Sequence, residues 1–380
     1  MVTHNTLTCG GQDVLLCNAG STTLKLQCRS VEGDAPITER VYTGSPDALL
    51  EALEHGVSSR VPPRAIVHRI VHAGEVTERP QALDAALLDR IVHWGVLAPL
   101  HNPLAVSLID LFRRRWPGLP QYAVFDSGLY ASLPDTASQY ALPTSLSPRW
   151  PVRRYGFHGL AHRSQWRQVQ AASQAAGISV PERLVSIHLG GGCSLSCWQG
   201  DRVVDTSMGY TPLEGLVMAT RSGSVDPGLL LHLLQHEEMS VAELGALLGS
   251  QSGLASLDGG NGDVRRLLAS SDPHAQTLLA LYCQQIRKGI GAAVAVLGGL
   301  DAISIGGGVG EHQPDIRERV LGELPAFGVQ LDRERNRESN GLSRLHGHDS
   351  AVALWLTPVN EFDEMFRQCE PLITRPGGRE

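Results

Sequence analysis

Short apolar runs that end in glycine-rich turns recur along the chain, and two of them share one pattern. Residues 14–26 (VLLCNAGSTTLKL) predict an apolar strand, a turn of small residues and an alternating second strand. Residues 184–197 (LVSIHLGGGCSLSC) repeat this order about 170 residues later. Two further apolar runs, 122–128 and 302–310, also end in turns that contain glycine. The repetition suggests that one structural unit occurs twice.

Helical periodicity fills the stretches between these runs. Residues 46–55 follow Ser45, a favourable N-cap, and residues 81–94 carry aliphatic side chains on one helical face. Residues 277–297 are apolar on nearly all sides, which predicts a buried helix. Strands that alternate with helices are typical of the α/β class. We therefore expect two duplicated α/β domains with a cleft between them.

Composition narrows the class of protein. A length of 380 residues is typical of about two domains at ~150 residues each. A formal charge of −7 argues against binding of nucleic acid, which needs a basic surface. No apolar stretch reaches the ~20 residues of a membrane helix, and residues 1–13 do not resemble a secretion signal. We expect a cytoplasmic protein whose seven cysteines are reduced, structural thiols.

Three glycine-containing turns could contact a phosphorylated ligand. The turn at 18–25 carries an amide, hydroxyls and Lys25, and the turn at 188–192 carries a histidine and three glycines. The third, at 306–310, is glycine-rich as well. Exposed backbone N–H groups and hydroxyls in such turns can hold phosphate oxygens. Each turn alone could equally be an ordinary tight hairpin, and none matches the P-loop string.

Two arginines stand out by their surroundings. Arg69 lies between aliphatic residues in a strand-like run at 68–72, and Arg221 follows a loop rich in turn-forming residues. A buried arginine must be paired or must face a ligand, so Arg69 indicates either a structural ion pair or an anion site. Two arginines from distant loops suit a carboxylate or phosphoryl acceptor. The spacing of the histidines supports no zinc site.

Several longer motifs resemble those of the acetokinase family of short-chain carboxylate kinases. The segments NAGSTTLK at 18–25 and DTSMGYTPLEG at 205–215 with RSG at 221–223 are similar to its two signatures. The resemblance continues in family order through 68–75, 97–103, 154–159, 263–265, 308–311 and 360–361. It covers the chain from residue 14 to about residue 361.

The resemblance implies the fold of acetate and sugar kinases, Hsp70 and actin, in which two similar α/β domains close on ATP. It implies an N-terminal domain of residues 1–130 with the returning segment 362–380. Residues 131–361 would then form a nucleotide-binding and dimerisation domain. The partners implied are acetate and ATP or ADP, with a second copy of the chain in a homodimer. The cofactor implied is Mg²⁺, for which Mn²⁺ can substitute.

Roles follow from the resemblance position by position. The catalytic residues would be Asp126, His158 and Arg221, and Asn18 and Glu361 match the metal positions. Arg69 would hold the carboxylate, and the acyl pocket would comprise Val71, Leu100, Phe157 and Pro212. The nucleotide contacts would be Lys25, His188, Leu189, Gly190, Gly191, Gly192, Asp263, Val264, Arg265, Gly308, Val309, Gly310, Glu311 and His312.

Departures from the family pattern leave alternatives open. Gly191 and His312 stand where the family usually has Asn, and Ala73-Gly74 replaces a Gly-Gly pair. Acetate phosphorylation by direct in-line transfer is the favoured activity. A propionate or butyrate kinase of the same family is the first alternative. A relative that binds nucleotide with little or no turnover is the second.

Overall fold

The computed structural model describes residues 9–20, 23–33, 36–45, 47–51, 61–74, 76–99, 101–146, 151–256 and 260–374. The chain forms two compact units. The first comprises Met1–Ala131 with Asn360–Glu380, and the second comprises Ser132–Val359. In the described ranges, no helix combines the length and the hydropathy needed to cross a membrane.

The first unit is built on a six-stranded sheet in the order β3-β2-β1-β4-β6-β5. Strands β1 and β2 form an antiparallel hairpin, β2 pairs antiparallel with β3, and β1, β4 and β6 run parallel. The central strand β1 is buried almost throughout, whereas the edge strand β3 exposes alternate residues. The strands are β1 Asp13–Ala19, β2 Thr23–Ser30, β3 Pro36–Thr43, β4 Ala65–Ile70, β5 Gln81–Ala82 and β6 Gln121–Phe125.

Helices α1 (Ala85–His93) and α2 (Asn102–Arg115) contribute buried aliphatic faces to the core of this unit. The last helix, α12 (Glu361–Thr374), packs against β1, β4 and β6. Arg29 of β2 binds Asp363 at 2.8 Å, and its guanidinium lies 4.3 Å from the centre of the Phe366 ring. The C-terminal segment is thereby held to a sheet formed more than 200 residues earlier in the chain.

The second unit repeats this sheet in the order β11-β12-β10-β7-β8-β9. Its hairpin, its parallel strands and its short antiparallel edge strand correspond one to one with those of the first sheet. The prediction of two duplicated α/β domains is therefore confirmed. The strands are β7 Arg183–Leu189, β8 Cys193–Gln199, β9 Arg202–Thr206, β10 Ala302–Gly306, β11 Ser343–Arg344 and β12 Ala353–Leu356.

The helices of the second unit begin and end at residues suited to those positions. Asp272 accepts the N–H of His274 at the start of α8, Pro273 occupies its first position, and Gly298 follows its end with φ +67°. The helices are α3 Asp135–Ser138, α4 Gly159–Ala175, α5 Pro227–His236, α6 Val241–Ser250, α7 Val264–Ala269, α8 Pro273–Leu297, α9 Gly307–His312, α10 Pro314–Leu321 and α11 Arg333–Glu338.

Two predicted helices need correction. Residues 81–82 pair with β6 instead of starting a helix, because Asp84 caps α1 through the N–H of Leu87 at 2.7 Å. The predicted 277–297 helix starts four residues earlier and is not buried on all sides, since Leu281 and Val296 are exposed. Of the predicted 46–55 helix, residues 47–51 are helical and the remainder lies outside the described residues.

The expectation that all cysteines are reduced is wrong for one pair. Cys9 and Cys28 form a disulfide with their Cα atoms 5.7 Å apart. Cys9 precedes β1, and Cys28 faces Leu15 across the β1–β2 hairpin. The sheet brings these residues together, which spacing along the sequence does not reveal. The other five cysteines are free and buried.

His68 of β4 is a buried, neutral histidine of the first core. Its Nε2–H donates to Oε1 of Gln121 at 2.7 Å, and the residue is 1% exposed. Burial lowers the pKa of His68 to about 4, against the opposing effect of this hydrogen bond. In the unfolded chain the histidine takes up its proton near pH 6.5. The unfolded state therefore binds more protons between pH 6.5 and 4, and stability falls as the pH falls through this window.

We predict that His68→Gln, which keeps an amide to pair with Gln121, flattens this part of the pH profile. The pKa difference corresponds to roughly 3 kcal/mol lost from wild type over the full window. Urea unfolding followed by tryptophan fluorescence at pH 7.5, 6 and 5 measures the loss. His348→Gln, which changes an exposed histidine, is the control. Parallel wild-type and His68→Gln profiles would contradict the assignment.

Candidate active site

The first unit gathers polar side chains at one edge of its sheet. Asn18 lies near the end of β1, Arg69 near the end of β4, and Asp126 directly after β6. These strands are parallel, so their C-terminal ends meet at the same edge, where α/β proteins commonly bind ligands. Glu361, the first residue of α12, joins them there. The sequence predicted all four residues, and the structure brings them together.

One hydrogen-bonded chain links these four side chains. Arg69 donates from Nε to Asp126 Oδ1 at 3.0 Å and from Nη2 to Asp126 Oδ2 at 2.5 Å. Its Nη1 donates to Asn18 Oδ1 at 2.9 Å, and Asn18 Nδ2 donates to Glu361 Oε2 at 2.7 Å. Asp126 and Asn18 are buried. Arg69 therefore forms an ion pair, the first of the two interpretations left open by the sequence, and it does so among residues of the predicted site.

The charges of this network stabilise one another. Burial acts to lower the pKa of Arg69, but the carboxylates of Asp126 and Glu361 outweigh it and the pKa is raised. A carboxylate that accepts two N–H bonds of a guanidinium remains ionised at neutral pH. Lys25 lies opposite Asn18 in the β1–β2 register, so both side chains share one face of the sheet. The edge thus combines fixed charges of both signs.

The loop after β4 is held by Asn102, a residue that the sequence analysis placed only within a longer motif. Asn102 Nδ2 donates to the carbonyl oxygens of His72 at 2.6 Å and Ile91 at 3.3 Å. Gly74 has φ +78°, and a Cβ there would lie 2.0 Å from Trp94 Nε1. Glycine is therefore required at position 74 of the Ala73-Gly74 pair. This loop keeps Val71 buried at 4% exposure.

In the second unit, His158 is held at the N-terminus of α4 in a backbone conformation that is uncommon for histidine. Its φ and ψ are 60° and 26°, in the left-handed region, at a cost of roughly 1–2 kcal/mol. Nδ1 lies 2.8 Å from Ser194 Oγ. A Cβ at Gly192 would lie 2.7 Å from His158 Nε2 and 3.8 Å from Arg221 Nη1. His158, Gly192 and Arg221 are therefore neighbours.

The loop that carries Arg221 is fixed by its backbone. The backbone N–H groups of Ser252, Leu254 and Ala255 donate to the carbonyls of Thr220, Met218 and Ala219, respectively, at 2.9–3.0 Å. Arg221 itself is 8% exposed, and its Nη1 donates to the carbonyl of Pro212 at 3.4 Å. Of the predicted acyl-pocket residues, Pro212 and Phe157 belong to the second unit and Val71 to the first. Leu100 lies outside the described residues.

A cavity of about 250 Å³ in the second unit contains most of the predicted nucleotide residues. Asp263 caps α7 and binds Arg265 at 2.7 Å, which holds this side chain at the wall. Gln313 is a lining residue that the sequence analysis missed, because it lies just beyond the glycine motif. The lining comprises Gly190, Gly191, Asp263, Val264, Arg265, Gly308, Val309, His312 and Gln313.

The remaining predicted nucleotide residues lie elsewhere. Lys25 belongs to the first unit. Glu311 accepts the N–H groups of Gly307 at 3.0 Å and Val359 at 2.9 Å, so its carboxylate holds the β10–α9 turn. The predicted nucleotide residues of the second unit that do not line the cavity are His188, Leu189, Gly192, Gly310 and Glu311. The predicted nucleotide residues therefore fall into two groups, those that line the cavity and those that do not.

Comparison with known proteins gives a family match. Residues 47–366 match the family model described as the acetokinase family. The acetate kinase of Clavibacter michiganensis subsp. michiganensis is 40% identical over 355 residues, which cover 92% of this chain and 88% of the relative.

Solved structures give the same result. The acetate kinase of Porphyromonas gingivalis is 27% identical with a TM-score of 0.79, covering 96% of this chain and 100% of that one. A propionate kinase from Francisella tularensis is also 27% identical, with a TM-score of 0.81, covering 94% of this chain and 98% of that one. The fold and these matches define a phosphotransferase with a carboxyl group as acceptor. The chain belongs to the acetokinase family.

The contact between Gly192 and His158 yields a test. We predict that Gly192→Ala displaces the His158 ring and lowers kcat roughly hundred-fold, because small misplacements of reacting groups have effects of this order. The protein should remain folded, since the nearest atoms belong to side chains. Steady-state kinetics with circular dichroism measures both properties. Gly245→Ala, in an open position of α6, is the control. Unchanged kcat in Gly192→Ala would show that this contact does not orient the ring.

Proposed function

We propose that this enzyme transfers the γ-phosphoryl group of ATP to acetate, forming ADP and acetyl phosphate in a reversible reaction. The observation that carries the proposal is the hydrogen-bonded chain of Asn18, Arg69, Asp126 and Glu361, of which Asn18 and Asp126 are buried. It offers a fixed cation beside two carboxylates, as binding of a carboxylate and a metal–nucleotide would require. The family membership and the acetate kinases among the relatives support the same activity.

Acetate needs no general base, because it is ionised at pH 7. The state of Asp126 agrees with this, since both of its oxygens accept N–H bonds from Arg69. Arg69 donates three of its five N–H bonds within the network. In the proposal the other two bind the acceptor carboxylate or the phosphoryl oxygens. Phosphoryl transfer depends mainly on alignment and charge neutralisation, which Arg69, Arg221 and His158 supply.

The donor set fits Mg²⁺. This ion prefers oxygen ligands, and in nucleotide sites it binds through one or two carboxylates together with substrate phosphates and water. Glu361 would supply such a carboxylate, and Asn18, whose Nδ2 donates to Glu361 and orients it, would supply its amide oxygen. When bound, Mg²⁺ neutralises charge on the phosphate oxygens. Asn18 and Glu361 are the residues we assign to this site, with Asp126 orienting the ion or its water.

The choice of acyl chain is proposed to depend on Val71. The acetate kinase of Porphyromonas gingivalis and the propionate kinase of Francisella tularensis are both 27% identical to this chain, so these two structures by themselves do not separate the two substrates. Val71 is buried directly after β4, two residues beyond Arg69. Its methyl groups would occupy the space that the additional methylene of propionate needs. An apolar pocket discriminates by about 1–3 kcal/mol per methylene, so the preference is graded.

The test is a hydroxamate assay with ATP, Mg²⁺ and acetate, propionate or butyrate. We expect acyl phosphate from acetate, with kcat/KM roughly ten-fold or more above propionate. Val71→Ala should narrow this ratio, mainly through the KM for propionate. Val67→Ala, which truncates a buried valine within β4 four residues earlier, controls for lost packing. Absence of acyl phosphate from all three acids would refute the function. An unchanged ratio in Val71→Ala would refute only the pocket.

We also propose a homodimer formed through the second unit. Helix α5 buries none of its residues within its own chain, and Leu229 and Leu231 are 49% and 56% exposed. Exposed leucines on one apolar helix favour burial against another copy of the same surface. Helix α8 also exposes Leu281 and Val296, but unlike α5 it buries a full face within its own unit.

We predict that Leu229→Glu/Leu231→Glu converts a dimer to a monomer, because it places charges in the apolar contact. Light scattering coupled to size exclusion at micromolar concentration measures the mass. Ile178→Glu, an exposed apolar residue of the same unit outside α5, should leave the dimer intact. A monomeric wild type would refute the dimer. A dimeric double variant would place its interface elsewhere.

A further inference from the structure

A buried row of polar side chains leads from the interior of the second unit to His158. Trp198 Nε1 donates to Ser186 Oγ at 2.8 Å, and Ser186 Oγ lies 2.8 Å from His162 Nδ1. His162 Nε2 lies 2.9 Å from Ser194 Oγ, which lies 2.8 Å from His158 Nδ1. Trp198, Ser186, His162 and Ser194 are fully buried. Four hydrogen bonds therefore connect five side chains in one line.

The direction in which the hydrogen bonds of this row are donated follows from its Trp198 end. An indole N–H can only donate, so Ser186 accepts from Trp198. The Ser186 proton then has one acceptor within the described structure, Nδ1 of His162. The reverse direction would make Ser186 accept twice and leave its buried proton without an acceptor, at a cost of about 1–3 kcal/mol. The proton of His162 must then be on Nε2, and it is donated to Ser194.

The state of His162 keeps this order intact. Burial lowers the pKa of His162 well below its ordinary value, and the neighbouring His188 lowers it further. A neutral imidazole has one donor and one acceptor nitrogen, so His162 accepts from Ser186 at Nδ1 and donates to Ser194 from Nε2. Ser194, having accepted from His162, donates its own proton to His158 Nδ1. The only proton of neutral His158 is therefore on Nε2.

The Nε2 edge of His158 faces Gly192, beside Arg221, which the proposed function assigns to phosphoryl transfer. The position that a Cβ at Gly192 would take lies 2.7 Å from this nitrogen and 3.8 Å from Arg221 Nη1. The ring centres of His158 and His188 lie 4.8 Å apart. The left-handed backbone at His158 turns the side chain toward Ser194 at this point. An Nε2–H here can donate to an oxygen, whereas an unprotonated Nε2 would repel it.

We propose that Trp198, Ser186, His162 and Ser194 are positioning residues that hold His158 as the Nε2–H tautomer, so that it donates a hydrogen bond to the transferring phosphoryl group. The role of His158 rests on the proposed function, but the tautomer does not. The device delivers a donor without requiring a charged imidazolium. It acts through His162 and Ser194, which themselves contact no substrate in this assignment.

The tautomer is measured directly by NMR. Two-bond ¹⁵N–¹H correlation of the full-length protein, labelled on histidine nitrogen, shows which ring nitrogen carries the proton. Spectra of His158→Gln and His162→Gln assign the two rings. We expect both residues to be protonated on Nε2 at pH 7.5. A wild-type His158 protonated on Nδ1 would overturn the proposal whatever the activity of the enzyme.

Kinetics tests the consequence for catalysis. Ser194→Ala should lower kcat roughly ten- to hundred-fold, as is usual when the partner that orients a functional histidine is removed, with KM values changed less than about three-fold. Ser194→Thr, which keeps a hydroxyl, should recover part of this loss. Ser186→Ala interrupts the line without contacting His158, and we expect it to raise the Nδ1–H population of His158. The matched control is Ser173→Ala, which changes a buried serine of α4, the helix that carries His162, outside this row.

The outcomes separate this inference from the proposed function. Full activity in Ser194→Ala, with His158 shifted to the Nδ1–H form, would overturn the link between tautomer and catalysis. Full activity in His158→Gln would refute the role of His158 in the proposed function, while the wild-type spectrum still decides the tautomer. If Ser194→Ala does not fold, Ser186→Ala provides the same two measurements, and an unchanged tautomer and kcat in it would overturn the inference.

Discussion

The buried ion pair between Arg69 and Asp126 is the interaction on which the polar network of the first unit depends. Taking a guanidinium out of water is unfavourable unless hydrogen-bonded anions replace the solvent. Asp126 supplies two acceptors, and Asn18 and Glu361 complete the surroundings. This requirement links the ends of three strands to a helix that starts at residue 361. Removing either charge would leave the other buried without its partner, which is more destabilising than losing the pair as a whole.

The second unit solves a related problem with neutral groups. His158 is oriented by hydroxyls, a second histidine and an indole, none of which carries a charge in the arrangement described. The first unit thus orders a charged network, and in the second unit the proposed tautomer of His158 is held by neutral groups beside the charged Arg221. Both devices rely on buried groups whose hydrogen bonds are satisfied, where the low dielectric strengthens each bond.

The duplicated sheet explains why functional residues recur at comparable places. In each unit a hairpin is followed by parallel strands, and the ends of these strands carry the side chains or turns of interest. Asn18 and Gly190 both stand at the junction of the first hairpin, and Asp126 and Thr357 follow corresponding strands. The two units carry different side chains at these places. The first carries the charged network, and the second carries glycines that leave a cavity.

The sequence by itself indicated the first hairpin of each unit, the duplicated α/β class and the family, because apolar runs ending in glycine turns and long motifs are local signals. It also proposed the residues of the site. It could not determine which partner balances Arg69, since Asp126 lies 57 residues away and only the parallel register joins them. Cys9 with Cys28 and the edge strand at Gln81–Ala82 were missed for the same reason. Gln313 and the row from Trp198 to His158 were likewise decided by the tertiary structure. Donors and acceptors acquire a direction only when packing places them within hydrogen-bond distance and excludes water.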